Sequence, residues 1–161
     1  MNIAAAVLLT LCGAFIGFYK SYSLKKRTEL LSESIRLCED IEIKMRFGSE
    51  ELDDIFNYLA ESGGYKVFPF PLQNEMTGRK AEWIKAVKNA AYAEKPDKEQ
   101  LKSLFLKLGE TDLCGQLSLL EYSKLQLKKL LSEAEKTYSE KGRLLRSAGL
   151  LCGLACGVVI L

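Results

Sequence analysis

The sequence predicts an all-α fold, a helical bundle built on a long antiparallel hairpin with shorter helices at its distal end and an apolar helix at each terminus. Three observations predict it. Two long segments carry apolar residues at steps of three, four and seven, glycine and proline stops divide the region between them, and both ends of the chain lack charge.

The ends come first because they organise the rest. The chain has 161 residues with 23 basic and 21 acidic side chains, a net charge of +2 and no histidine. None of those charges lies from Met1 to Tyr19 or from Ser147 to Leu161, so a mean hydropathy of -0.02 averages two apolar ends with a charged middle. The run from Asn2 to Tyr19 reaches roughly 27 Å as a helix, close to the hydrocarbon thickness of a bilayer. Lys20, Lys25, Lys26 and Arg27 follow this run, the reverse of a cleaved signal peptide. At the other end, Lys141, Arg143 and Arg146 precede the apolar segment, which is short and requires Arg146 to snorkel. Both clusters give one orientation under the positive-inside tendency, with the middle cytoplasmic. The expected organisation is therefore a transmembrane anchor over 1–19, a cytoplasmic helical domain over 20–146 and a second transmembrane anchor over 147–161. Gly13 and Gly17 in the first anchor, and Gly149, Gly153 and Gly157 in the second, recur at the small-x-x-x-small spacing that lets membrane helices touch.

Beyond the first anchor, Leu24, Leu31, Cys38 and Met45 recur every seven residues, flanked by Leu30, Ile35, Leu37 and Ile41. This long helix should end near Phe47, where Gly48 offers a stop and Ser49 with Glu50 and Glu51 a new start. A short helix to Glu61 follows, closed by Gly63 and Gly64. Pro69 and Pro71 make 62–72 an irregular connection. Ala81–Ala91 predicts a third helix with Trp83 in the core. Asp97 with Gln100 resembles a capping box for a fourth, which runs through Leu101, Leu104, Phe105 and Leu108. Gly109 ends that helix, and Thr111 or Asp112 caps the last one, whose apolar positions include Leu113, Leu117, Leu120, Leu127, Leu131, Ala134 and Tyr138. Lys124 is the one polar residue at a step that wants an apolar one. Each long helix needs a partner for its stripe, and antiparallel pairing supplies it.

Catalytic signatures are missing. Without histidine the commonest general base and metal ligand is absent, and no phosphate-cradling Gly-rich motif occurs, so no enzyme activity, cofactor or metal is expected. Glu50, Glu51, Asp53 and Asp54 suit the positive end of a helix, and Lys128 with Lys129 suits a solvated face. Five irregularly spaced cysteines argue for free thiols in a reducing compartment.

Gly17-Phe18 before Leu24-Lys25-Lys26-Arg27, then Leu37 through Glu39 and Ile41 through Ile43, form the first part of a wider pattern. Leu108-Gly109-Glu110-Thr111-Asp112 with Gly115-Gln116, Glu133 through Lys136, Lys141 through Arg143, and Ser147-x-Gly149 complete it. In these residues the chain resembles the stage III sporulation protein AB family, over nearly all its length except 62–93. The resemblance implies a non-enzymatic platform in the multi-protein channel that joins mother cell and forespore. It is similar to the membrane platform proteins of type II secretion and type IV pilus machines, which implies a cytoplasmic secretion-type ATPase and other channel proteins as partners. The near-balanced charge argues against a nucleic-acid partner, and no small-molecule substrate is expected. The location implied is the mother-cell membrane around the forespore. Gly109, Thr111, Asp112 and Gln116 are the candidate partner-binding residues, although the same string reads equally as a helix stop and cap. The alternative is a soluble helical adaptor whose apolar ends form a buried hairpin.

Overall fold

In the computed structural model, which describes residues 2–48, 52–70 and 80–160, five α-helices are present and no strand is found among the described residues. They are α1 (Asn2–Phe47), α2 (Leu52–Glu61), α3 (Lys80–Lys88), α4 (Lys95–Lys107) and α5 (Leu113–Ile160). The chain divides into two compact units, one of residues 1–28 with 133–161 and one of residues 29–132, and α1 and α5 contribute to both.

In the unit of residues 29–132 the middle of the seven-residue stripe of α1 becomes core, while Met45 is half-buried. Leu31 and Cys38 are fully buried, with Leu30, Leu37, Ile35 and Ile41 beside them. Facing them, α5 buries Leu120 and Leu127. Leu113, the first residue of the predicted α5 stripe, is instead half exposed, because it sits in the first turn, ahead of the buried run. Around Trp83, only 5% exposed, the rings of Phe56 and Phe105 lie 4.5 and 5.2 Å away between centroids, so α2, α3 and α4 meet over one aromatic cluster. Each buried ring of this size contributes on the order of 2–3 kcal/mol relative to exposure.

Helix ends follow the sequence closely, with two corrections. α1 stops at Phe47, and the Gly48 N–H donates to Lys44 O at 2.7 Å. Its successor ends at Glu61, with Gly63 at φ +64. Ser49, Glu50, Glu51, Pro71 and Leu72 lie outside the described residues, so the predicted cap of α2 and the last part of the 62–72 connection do too. The first correction is α3, which ends at Lys88 rather than Ala91: the Ala90 N–H turns back to Val87 O and the small Ala90 side chain is buried. The second is the α4 box. Glu94, in an extended conformation, is the N-cap; Pro96 stands in the first turn where an N–H is dispensable, and Asp97 is the third helical residue. Its Oδ2 accepts the Glu94 N–H at 2.9 Å, so Asp97 closes a box begun by Glu94 and does not start one with Gln100.

Residues 62–70 hold a structured strap. Both carboxylate oxygens of Glu33 accept main-chain N–H groups, from Lys66 at 2.9 Å, Val67 at 2.8 Å and Phe68 at 2.7 Å. One turn along α1, Arg36 donates to Gly64 O and places its guanidinium 4.4 Å from the Tyr65 ring centre. The Tyr65 hydroxyl in turn donates to Asp40, and burial together with that carboxylate raises the phenol above its usual range. Buried Phe68 then joins the aromatic cluster.

In the unit of residues 1–28 and 133–161, the start of α1 runs antiparallel to the end of α5. Gly17 and Ala134 are buried, whereas Leu8, Leu11, Phe15, Ile16, Leu144 and Leu151 are each at least 60% exposed. Among the described residues no helix is long and apolar enough to cross a membrane. Side chains at 2–7, 9–10, 150, 153–154 and 156–161, which make up much of the two predicted anchors, lie outside that description.

Candidate functional site

The Gly109 to Gln116 elbow is built almost entirely from its own polar groups. α4 ends at Lys107 and the chain reverses through Gly109 at φ +80, a conformation that suits glycine; a Cβ there would also stand 3.0 Å from Leu52 Cδ1. Asp112 caps α5, since its Oδ1 accepts the Gly115 N–H at 3.1 Å and its carbonyl accepts the Gln116 N–H at 2.9 Å. Gln116 folds back over the turn. Its Oε1 accepts the Gly109 N–H at 3.2 Å, and its Nε2 donates to Thr111 O at 2.9 Å. Gly115 leaves room for this closure, because a Cβ there would lie 2.6 Å from Thr111 Oγ1.

Every candidate residue of this string is thus brought into one turn, and each has work inside the chain. Asp112 and Gln116, two of the candidate partner-binding residues, direct their acceptors at the elbow itself. Thr111, Asp112, Leu113 and Cys114 are nevertheless exposed around it. Gly115, part of the string but not among its candidate partner-binding residues, joins them through packing; its signal was its place between the cap and the bridging glutamine.

The second candidate set is the glycine seam. A Cβ on Gly17 would fall 2.5 Å from the Leu145 carbonyl oxygen and 3.2 Å from Gly149 Cα. On Gly149 it would fall 2.7 Å from the Gly13 oxygen. Gly13, Gly17 and Gly149 therefore bring the two backbones into direct contact, within this chain. Gly142 extends the seam, with Ser21 Oγ at 3.4 Å from a Cβ built there. Gly153 and Gly157 lie on α5, and their surroundings are outside the described residues.

Elsewhere, Lys124 answers the break in the α5 stripe by pairing with Glu42 of α1, which also holds Arg46 at 2.8 Å. These hydrogen bonds, that from Lys124 foremost, pull the Glu42 carboxyl below its usual value. Cys38 is the opposite case. Burial pushes its thiol up to about 12, so it behaves as an inert core residue. Cys12, Cys114 and Cys152 are exposed free thiols. Lys128 and Lys129 are exposed, and so is Asp54 in the first turn of α2.

Helices paired through a glycine seam at charge-free ends, with a helical unit closed by a self-capped elbow, define a class of small all-α proteins whose distinctive residues shape contacts between helices. Within that class the chain belongs to the stage III sporulation protein AB family, whose model matches residues 2–161, and its role lies in sporulation. No match is found among curated proteins or solved structures.

Proposed function

We propose that this protein is a non-enzymatic membrane platform of the channel between mother cell and forespore, with residues 20–146 in the mother-cell cytoplasm engaging a secretion-type ATPase. The observation that carries the membrane part is the outward direction of the apolar ends. Leu8, Leu11, Phe15 and Ile16 are 60–72% exposed on a helix turned toward its partner through glycine. Facing water, each would forgo about 1.5–3 kcal/mol of transfer free energy, and lipid removes that cost. A buried apolar hairpin, the soluble alternative, would require these side chains to point the other way. The ATPase and channel partners rest on family membership, and the exposed elbow around Leu113 and Cys114 is the surface offered to them.

Carbonate extraction tests the membrane part: recovery of natively helical chain in the supernatant ends it. Orientation is tested with a cysteine placed at exposed Ser62 in a chain otherwise free of cysteine. A membrane-impermeant thiol reagent should label it only after lysis, and labelling of intact cells refutes a cytoplasmic domain. Co-purification with the ATPase from sporulating cells tests the partner, and its absence with the chain folded and in the membrane removes that assignment.

A further inference from the structure

The glycine seam fixes the register of the two apolar helices, and with it the level at which their charges lie. Gly17 meets Leu145 and Gly149, and Ser21 meets Gly142, so residues 17–21 of α1 stand opposite 142–149 of α5. Lys20 therefore shares one level with Lys141, Arg143 and Arg146, within about 8 Å along the axis. All four are exposed, as are Tyr19 and Tyr22 at the same level. From 20 to 27 there are four basic residues and no acidic one; from 138 to 147 there are three basic residues and one acidic.

Direction around the pair is as informative as level. At about 100° per residue, Lys20 points away from Tyr19 and Tyr22, which share one side of α1, and Lys141 points away from Arg143 and Arg146, which share one side of α5. Inward positions are held by Gly17, Ser21 and Gly142, all buried. The cations thus lie on opposite sides of the pair instead of marking one side of it. Immediately beyond them stand exposed Phe15 and Ile16. An acidic protein would approach from one side, whereas a layer of headgroups meets opposite sides at once, with tyrosine at the boundary and hydrocarbon beyond.

We propose that Lys20, Lys141, Arg143 and Arg146, with Tyr19 and Tyr22, form a collar that binds the phosphate headgroups of anionic lipids. This rests on the membrane reading above and adds to it a lipid preference and the residues that carry it.

The test is to reconstitute the full chain in phosphatidylcholine bilayers with a trace of spin-labelled phosphatidylglycerol or spin-labelled phosphatidylcholine, and to compare the motionally restricted fractions. Phosphatidylglycerol should be preferred by about threefold or more. That preference should vanish in the Lys20→Gln/Arg143→Gln/Arg146→Gln variant and at about 1 M salt, and survive Lys20→Arg/Arg143→Lys/Arg146→Lys. Should the neutral triple variant fail to keep native helicity by circular dichroism, the salt series on the unaltered chain decides. Equal restriction of both labels overturns the collar and leaves the membrane reading standing. No restricted component with either label overturns the membrane reading and the collar with it. Persistence of the preference in a folded neutral variant also overturns the collar.

Discussion

Lys124 of α5 donates to Glu42 of α1 at a position where the stripe of α5 calls for an apolar residue. Both side chains are under 20% exposed, and Arg46 holds the second flank of the carboxylate.

The pair makes stability depend on pH in a defined direction. The Glu42 carboxyl is lowered in the folded chain, chiefly by the Lys124 hydrogen bond, so the unfolded chain binds its proton more readily. Its contribution is complete above the unfolded value of about 4.3 and fades as pH falls through the folded one. Thermal unfolding of the unaltered chain and of Glu42→Gln should therefore differ at pH 7 and draw together as pH falls below the unfolded value. A difference that stays constant down to pH 3 would refute the linkage.

Gly17→Ala should separate the paired backbones. A methyl group 2.5 Å from the Leu145 carbonyl has no flexible side chain to push aside, so one helix must move. The expected cost is about 1–3 kcal/mol, as for overpacking a core. It is read as a lower melting temperature of the full chain in detergent. An unchanged melting temperature would mean that the seam does not hold the two helices.

The elbow separates folding from binding. Asp112→Ala removes a cap and should cost about 1 kcal/mol. Gln116→Ala frees two exposed main-chain groups to water and should cost about 0.5–1.5 kcal/mol. Gly115→Ala, forced against Thr111, should cost at least as much as either. If the string is a folding signature, co-purification of partners per folded molecule stays constant across all three. A fall in binding larger than the fall in stability would identify a contact instead.

Much of this was legible in the sequence, because helix packing writes itself into spacing. The stripe of Leu31 and Cys38, the stop at Gly48 and the cap at Asp112 depend on neighbours within a turn or two, where periodicity and capping chemistry apply. Where the α4 box was misplaced, two acidic residues, Glu94 and Asp97, competed for one role, and the turn-compatible Pro96 between them decided it. The closure of the elbow by Gln116 and the close approach of Gly17 to Leu145 depend on atoms in three dimensions that spacing only permits. Glu33, one of several charges along α1, gave no sign that its partners lay more than thirty residues away.

Glu33→Gln tests that long-range grip. The carboxylate is replaced by an amide with one acceptor oxygen, so at least one charged hydrogen bond to the 66–68 main chain is lost, at about 1.5–3 kcal/mol. Amide exchange at Lys66, Val67 and Phe68 should accelerate ahead of exchange in the α1 and α5 core. Equal protection in both proteins would show that aromatic packing alone holds the strap.

Because Glu33 grasps amides and not side chains, the strap is spelled in a code almost indifferent to residue type. Nearly any amino acid at 66 and 67 supplies the N–H that is gripped; proline alone cannot. Proline appears at 69, the first position whose amide the carboxylate does not use. Such a stretch can drift in composition while its path over α1 stays fixed, which accounts for a segment that looks anonymous in the sequence and is firmly tied down in the fold.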